Sequence, residues 1–147
     1  MKGLGTALIT PFMEDGNIDF QALSRLIEHQ VKGGVDYLVI LGTTSEVPTL
    51  SHEEQDQIIV HIVEQVAGRL PLVLGVGGNC TAAVVERIKG LENLLQDHFA
   101  AILSVTPYYN RPQQEGLYQH FCAVAEASPL PVILYNVPKR TGVNLLP

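Results

Sequence analysis

Three small or hydroxyl-bearing residues, Gly42, Thr43 and Thr44, directly follow an apolar run and precede a predicted helix. Glycine lets the backbone approach a ligand closely, and the threonines add two hydroxyl groups to the backbone N–H groups of the turn. Together these donors could close around an anion such as a carboxylate. The same residues also suit an ordinary turn stabilised by hydroxyl groups, and the sequence leaves both interpretations open.

Two further clusters combine aromatic, charged and amide side chains, and each also follows an apolar run. The first contains Tyr108 and Tyr109, and the second extends from Tyr135 to Arg140. In parallel α/β folds, ligands bind at the carboxyl ends of the strands, where these clusters would share one rim with the two threonines. An ordinary turn does not require two adjacent tyrosines or an arginine. We therefore predict a site for a small polar ligand on this rim.

Several other ligand classes are disfavoured. The segment 75–78 resembles a nucleotide loop only superficially, because it lacks the last glycine of the dinucleotide fingerprint and a following Lys-Ser/Thr pair. The five histidines and two cysteines form no HExxH or CxxC motif, so no metal site is predicted. A net charge of -6 argues against nucleic acid and anionic membranes as partners. We expect a small-molecule substrate and no cofactor.

The N-terminus and the cysteines bear on cellular location. The first ten residues lack the long apolar stretch of a signal peptide or membrane span. Cys80 and Cys122 suggest no disulfide framework and are most simply two reduced thiols in a core. With 46% hydrophobic and 16% charged residues among 147, the chain can build a globular core. These features predict a cytoplasmic protein.

The elements that must position the polar clusters repeat one unit, a strand followed by a helix. Five short apolar runs begin near Ala7, Tyr37, Leu72, Ala101 and Val132, about 30 residues apart, the length of a strand and its crossover helix. The runs are continuously apolar rather than alternating. This pattern indicates strands that are buried on both faces, as in a parallel sheet.

Apolar stripes at helical spacing lie between these runs. The first stripe follows a cap at Asp19 and ends at Gly33, and the second begins with a capping box of Ser51 and Glu54 and ends at Gly68. The other two stripes consist of Val84, Val85, Ile88 and Leu91, and of Leu117, Phe121, Val124 and Ala125. Four helices are therefore predicted.

Two architectures fit this repeat. Five strands in a chain of this length suit a doubly wound, flavodoxin-like domain, whereas a closed eight-stranded barrel needs about 250 residues. Length alone therefore favours the doubly wound domain.

Longer motifs change this expectation. Residues 106–121, TPYYNRPQQEGLYQHF, and residues 135–142, YNVPKRTG, closely resemble the dihydrodipicolinate synthase family, and with Gly42–Thr44 the resemblance extends over the whole chain. The fold of that family is a (β/α)8 TIM barrel. The resemblance thus implies an incomplete barrel of about five βα units. Residues 1–147 would be the N-terminal part of a single barrel domain, truncated before the sixth strand.

The resemblance also implies an activity. Enzymes of this family are lyases that condense pyruvate with aspartate semialdehyde in lysine and diaminopimelate biosynthesis, through a Schiff base on a lysine of the sixth strand. By motif, Thr44 would bind the pyruvate carboxylate, and Tyr135 would transfer protons. Thr43 and Tyr109 would complete the proton relay. Arg140 would hold the carboxylate of the semialdehyde with its planar guanidinium.

The resemblance further implies a homo-oligomer, because the residue that matches Tyr109 reaches into the site of the neighbouring subunit. Two features depart from the family pattern. Ser45 stands where the family usually has glycine, which would restrict φ beside the carboxylate site. The Schiff-base lysine has no counterpart, since Lys139 follows a proline in a loop and is expected to be solvated.

We therefore expect the chain to be inactive by itself. Two other functions stay open. One is another pyruvate-dependent lyase of the same superfamily, and the other is a non-catalytic half-barrel that binds another chain.

Overall fold

Residues 2–147 are described by a computed structural model, in which strands alternate with helices along the chain. The chain divides into two compact units, and the division falls between Leu74 and Gly75. Unit 1 contains β1 (Gly5–Ala7), α1 (Phe20–Gly33), β2 (Tyr37–Ile40), α2 (His52–Val66) and most of β3 (Leu72–Gly75). Unit 2 contains α3 (Thr81–Gly90), α4 (Glu92–His98), β4 (Ala101–Val105), α5 (Gln114–Ala127), β5 (Val132–Tyr135) and α6 (Pro138–Thr141).

The strand order within unit 1 decides between the two architectures. Strand β2 pairs in parallel with β1 on one side, where Leu38 lies opposite Thr6, and with β3 on the other, where Leu38 lies opposite Leu72. A flavodoxin-like domain would instead place β1 between β2 and β3. The expectation drawn from length is therefore wrong. In unit 2, β4 pairs in parallel with β5, with Ile102 opposite Val132.

The capping signals of the first two helices are confirmed. The Asp19 carboxylate accepts from the backbone at the start of α1, and that helix ends at Gly34 in the left-handed conformation. Ser51 and Glu54 form the reciprocal capping box of α2, and the two hydrogen bonds from Ser51 lower the pKa of the Glu54 carboxyl. Helix α2 ends earlier than predicted, because Ala67 already adopts the left-handed conformation at a φ of 48°.

The third apolar stripe lies in α3, and a further short helix, α4, that the sequence did not predict follows it. Leu91 leaves the helical conformation with φ -105° and ψ 6°, directly after Gly90, and α4 begins at the next residue. The buried residue of α4 is Leu95, so this short helix has too few apolar positions to show a stripe in the sequence. No helix within residues 2–147 is long and apolar enough to cross a membrane.

Burial differs between inner and outer strands. Leu38 and Ile40 of β2 are fully buried, in agreement with the apolar runs. The prediction of burial on both faces is wrong for β1 and β5, however, since Ile133 and Leu134 of β5 are 39% and 48% exposed. Successive side chains of a strand point to opposite faces, so both faces of β5 are only partly covered by residues 2–147.

The two cysteines are free, as predicted, but they are not core residues. Cys80 is exposed immediately before α3, and Cys122 is partly buried on α5. The core prediction is wrong because Cys80 lies at the exposed N-cap position of α3 and Cys122 borders an open cleft beside α5.

Candidate active site

The Gly42–Thr44 motif lies in a tight turn that follows β2 in unit 1. Leu41 adopts a left-handed φ of 51°, which directs the chain out of the strand. Residues Thr43–Ser45 then form a 3-10 turn, closed by a hydrogen bond from Ser45 N to Gly42 O of 3.0 Å. Thr43 and Thr44 are exposed, whereas Ser45 is buried. The turn thus presents two threonines and hides the serine.

The hydroxyl groups of this turn bind it to the end of β1. The Ser45 hydroxyl donates to the carbonyl of Leu8 at 2.7 Å, and the Thr44 hydroxyl donates to the same carbonyl at 3.1 Å. The Thr10 hydroxyl in turn donates to the carbonyl of Ser45 at 2.9 Å. These three contacts join positions more than 30 residues apart in the chain, so no local sequence pattern could have predicted them.

The expected backbone restriction at Ser45 is not observed. Positive φ values occur on either side of the turn, at Leu41 and at Glu46, but not at Ser45 itself. A serine therefore fits this backbone without strain. The N–H groups of Thr43 and Thr44 lie at the start of the 3-10 turn, where such groups have no partner within the turn, so they can donate to a carboxylate.

Tyr109 occupies the centre of a strained three-residue turn in unit 2. Asn110 N donates to Tyr108 O at 2.9 Å, which encloses Tyr109 at a φ of 75° in a γ-turn. The Asn110 amide also donates to the carbonyl of Asn79 at 3.0 Å and so holds the turn against the segment before α3. The Tyr109 side chain is 90% exposed. The backbone of the turn is therefore fixed by hydrogen bonds, while the Tyr109 phenol is accessible to solvent.

Tyr135 is the last residue of β5 and is partly buried. Its carbonyl accepts from the backbone N–H of Thr106 at 3.1 Å, which continues the β4–β5 ladder. The following helix α6 is fixed by Thr141, a buried residue whose hydroxyl donates to Val143 O at 3.0 Å. Hydrogen bonds therefore hold the segment 135–141 at both of its ends, at Tyr135 and at Thr141.

Arg140 lies in α6 and is exposed. Among residues 2–147, its guanidinium forms no ion pair and no side-chain hydrogen bond. A free guanidinium can bind a carboxylate through two parallel hydrogen bonds. The neighbouring Lys139 is also exposed, as predicted, although it belongs to α6 rather than to an open loop.

Two amide side chains that the sequence did not single out organise the segment after α6. The Asn136 amide donates to the Asn144 side chain at 2.9 Å and accepts from Leu145 N at 3.1 Å. Gln114, the first residue of α5, donates to Asn144 O at 2.8 Å. Asn136 lies inside a motif that was recognised, but its partners Asn144 and Leu145 lie beyond α6 and outside that motif.

Two of the five histidines, His61 and His120, have hydrogen-bond contacts within their units. His120 is 3% exposed, its Nδ1 lies 2.9 Å from the Thr81 hydroxyl, and its Nε2 has no hydrogen-bond partner among residues 2–147. Burial lowers the pKa of His120, which favours the neutral ring. His61 contacts the Ser24 hydroxyl at 2.9 Å. In the described part of the chain, no three His, Cys, Asp or Glu side chains are grouped so that they could hold a metal ion.

An open apolar cleft of about 870 Å³ lies beside α5 in unit 2. Tyr118 and Cys122 of α5, Leu134 of β5 and Leu146 form part of its lining. None of the predicted site residues lines this cleft. Its chemistry therefore suits the packing of apolar side chains rather than the binding of a dicarboxylate.

Comparison with known proteins identifies one family over the whole chain. The model of the dihydrodipicolinate synthetase family matches residues 1–147. The 4-hydroxy-tetrahydrodipicolinate synthase of Parabacteroides distasonis is 57% identical over 148 aligned residues, which cover 99% of this chain and 48% of that protein. The chain spans about half the length of the curated relatives that it matches.

Solved structures agree with the sequence comparison. The 4-hydroxy-tetrahydrodipicolinate synthase of Methylacidiphilum fumariolicum is 43% identical, with a TM-score of 0.92 over 99% of this chain and 47% of that chain. The chloride-inhibited dihydrodipicolinate synthase of Acinetobacter baumannii, solved with pyruvate, is 46% identical, with a TM-score of 0.91 over 97% of this chain and 48% of that chain. These enzymes are TIM barrels, so the prediction of an incomplete barrel is confirmed.

Proposed function

Because the chain belongs to the dihydrodipicolinate synthetase family, we propose that it supplies the N-terminal half of the active site of a 4-hydroxy-tetrahydrodipicolinate synthase. Such a lyase condenses pyruvate with aspartate semialdehyde. The observation that carries the proposal is the match itself, which includes 99% of this chain and 48% of the Parabacteroides distasonis enzyme. In this proposal, residues 1–147 form the N-terminal part of a single barrel domain.

The two units would bind different carboxylates. In unit 1, the N–H groups of the 3-10 turn and the hydroxyl of Thr44 would bind the carboxylate of pyruvate. In unit 2, Arg140 would bind the carboxylate of the semialdehyde, and its exposed, unpaired guanidinium supports this role. Pyruvate would also be held by the covalent Schiff base, so hydroxyl and N–H groups suffice for its carboxylate. The semialdehyde has no such bond, and its carboxylate needs the two parallel hydrogen bonds of a guanidinium.

Proton transfer would depend on Tyr135, Thr43 and Tyr109. A phenol has a pKa near 10, so it transfers protons efficiently only where other hydroxyl groups stabilise the charged intermediates. The 90% exposure of Tyr109 supports the proposal that this residue completes its relay in a homo-oligomer, in the site of a neighbouring subunit. We propose that this enzyme acts on small molecules in the cytoplasm.

The Schiff-base lysine would come from outside these residues. The four lysines, Lys2, Lys32, Lys89 and Lys139, are all exposed. Imine formation requires an amine held in a desolvated pocket beside the pyruvate carbonyl, and an exposed lysine does not meet this requirement. We therefore expect no activity from the chain alone.

The proposal is tested by supplying the part of the Parabacteroides distasonis enzyme that lies beyond the matched residues as a second polypeptide. We expect condensation activity only when the added half carries its Schiff-base lysine. The control is the same half with that lysine replaced by alanine. Activity with the alanine half, or without any added half, would contradict the proposal.

A second candidate function has one observation in its favour. The apolar cleft beside α5, whose lining includes the exposed Leu134 of β5, could bind another polypeptide without catalysis. Copurification of the two halves without any condensation activity would favour this candidate.

Treatment of the chain with pyruvate and borohydride independently tests whether the Schiff-base lysine lies outside these residues, and intact-mass measurement detects any adduct. We expect no adduct, and a stoichiometric adduct at Lys139 would place the nucleophile in this chain.

A further inference from the structure

In unit 1, the carbonyl of Leu8 accepts two hydroxyl hydrogen bonds, and one of the donors is the residue proposed to bind pyruvate. Leu8 is 2% exposed, and its own N–H donates to Val39 O at 2.9 Å. The next bond of the β1–β2 ladder is absent because Leu41 turns away at a φ of 51°. No backbone N–H of the described residues donates to this buried carbonyl, so Ser45 and Thr44 satisfy it instead.

The two donors differ in what else they can reach. A hydroxyl group has a single proton to donate, so Thr44 can donate either to Leu8 O or to a bound carboxylate. Thr44 is exposed, and its bond of 3.1 Å is the longer of the two. The buried Ser45 has the shorter bond, 2.7 Å, and no access to solvent. Only Thr44 can therefore exchange Leu8 O for a ligand.

We propose that Ser45 is a positioning residue that frees the Thr44 hydroxyl for the carboxylate of pyruvate. When Thr44 turns to the ligand, the Leu8 carbonyl keeps Ser45 as its donor and is not left buried without a partner. Without Ser45, ligand binding has to break the last hydrogen bond to a buried carbonyl, which weakens binding roughly tenfold. This inference rests on the proposed function, because it requires Thr44 to bind the carboxylate.

The first test measures kinetics of the chain assembled with the added half. We expect Ser45→Ala to raise the KM for pyruvate roughly tenfold with little change in kcat or in the KM for the semialdehyde. Ser45→Thr keeps the hydroxyl and should restore the KM for pyruvate. Thr10→Val is the matched control, since it removes a hydrogen bond to the same turn without changing the donors to Leu8 O. A purely structural role predicts the same KM from Thr10→Val and Ser45→Ala.

These kinetics separate the two proposals. If Thr44→Val leaves the KM for pyruvate unchanged, the carboxylate role in the proposed function is wrong. If Thr44→Val raises that KM but Ser45→Ala does not, the carboxylate role stands and the role of Ser45 is overturned.

The second test uses the 147-residue chain alone and needs no activity. The free energy of unfolding is measured for Thr44→Val, Ser45→Ala and the double variant. Each single variant leaves Leu8 O with one hydroxyl donor, and only the double variant leaves it with none. We therefore expect the double variant to be destabilised by more than the sum of the single variants. Additive effects would show that the two hydroxyls do not substitute for each other, which overturns the proposal.

Discussion

Strands β4 and β5 are paired neighbours in unit 2 with similarly apolar sequences, but their surroundings differ. Ile102 of β4 is fully buried, whereas Ile133 and Leu134 of β5 are 39% and 48% exposed. Hydrophobic composition specifies what a strand can bury, and the neighbouring elements decide whether it does so. The difference shows that residues 2–147 cover the apolar side chains of β4 more completely than those of β5.

The same difference bears on the proposed chemistry. Tyr135 ends β5, and α6 with Arg140 follows directly. The groups of unit 2 that are proposed to act on substrate are therefore attached to the strand with the least complete packing. Catalytic side chains need firm support from their surroundings, so we expect these groups to reach full function only when β5 is covered.

The largest expected effect concerns Tyr135. In the assembled halves, Tyr135→Phe should lower kcat by at least about 100-fold, because it removes the hydroxyl proposed to transfer protons. Steady-state kinetics with both substrates measure this effect. Tyr37→Phe at the start of β2 is the control and should retain the kcat of the unmodified chain. Equal kcat values for the two variants would exclude Tyr135 from the proton relay.

A second prediction tests the two strands directly. Ile102→Ala should lower the free energy of unfolding by about 2–5 kcal/mol, since it leaves a cavity in a packed core. Leu134→Ala should cost less than about 1 kcal/mol in the chain alone, because its side chain is 48% exposed. Urea denaturation measures both values. The cost of Leu134→Ala should rise when the added half is bound, and an unchanged cost would show that the half does not cover β5.

A smaller effect is expected at Arg140. Arg140→Ala should raise the KM for aspartate semialdehyde about 10- to 100-fold while the KM for pyruvate stays the same, because charge-assisted hydrogen bonds to one carboxylate are lost. Arg140→Lys should recover only part of the loss, since an ammonium cannot form the bidentate contact. Lys139→Ala is the adjacent control. An equal rise in both KM values would contradict the assignment.

The smallest expected effect is the pH dependence contributed by His120. Burial lowers its pKa in the folded chain below the unfolded value near 6.5, so the unfolded chain binds the proton more readily. His120 should therefore lower stability as the pH falls below about 6.5 toward its folded pKa, and have no effect above it. The free energy of unfolding, measured as a function of pH below about 6.5, should show a slope that His120→Gln removes. His29→Gln, at an exposed position, should keep the slope.

Much of the fold could be predicted from local patterns. The capping box of Ser51 and Glu54 and the cap at Asp19 are formed by residues close in sequence, and their positions are confirmed. The break between α3 and α4 was missed because Leu91 continues the apolar spacing even though its backbone does not remain helical. The exposure of β5 depends on what packs against it, which the composition of the strand does not specify.

The candidate site was predictable in its residues but not in its contacts. The resemblance identified Thr44 and Arg140, whose proposed roles remain predictions. It gave no indication that Ser45 and Thr44 share the carbonyl of Leu8, because that contact joins two strand ends far apart in sequence. The hydrogen bonds of Asn136 with Asn144 and Leu145 were missed because these partners lie beyond the end of the recognised motif.

The γ-turn at Tyr109 has an evolutionary consequence. A non-glycine residue at a φ of 75° costs on the order of 1–3 kcal/mol, which glycine would largely avoid. The side chain that carries this cost is 90% exposed, so it contributes little to folding in return. Selection of random variants for stability alone should therefore enrich glycine at this position. Selection for activity should retain tyrosine under the proposed role of Tyr109 in the proton relay, and the two pressures would then oppose each other at this turn.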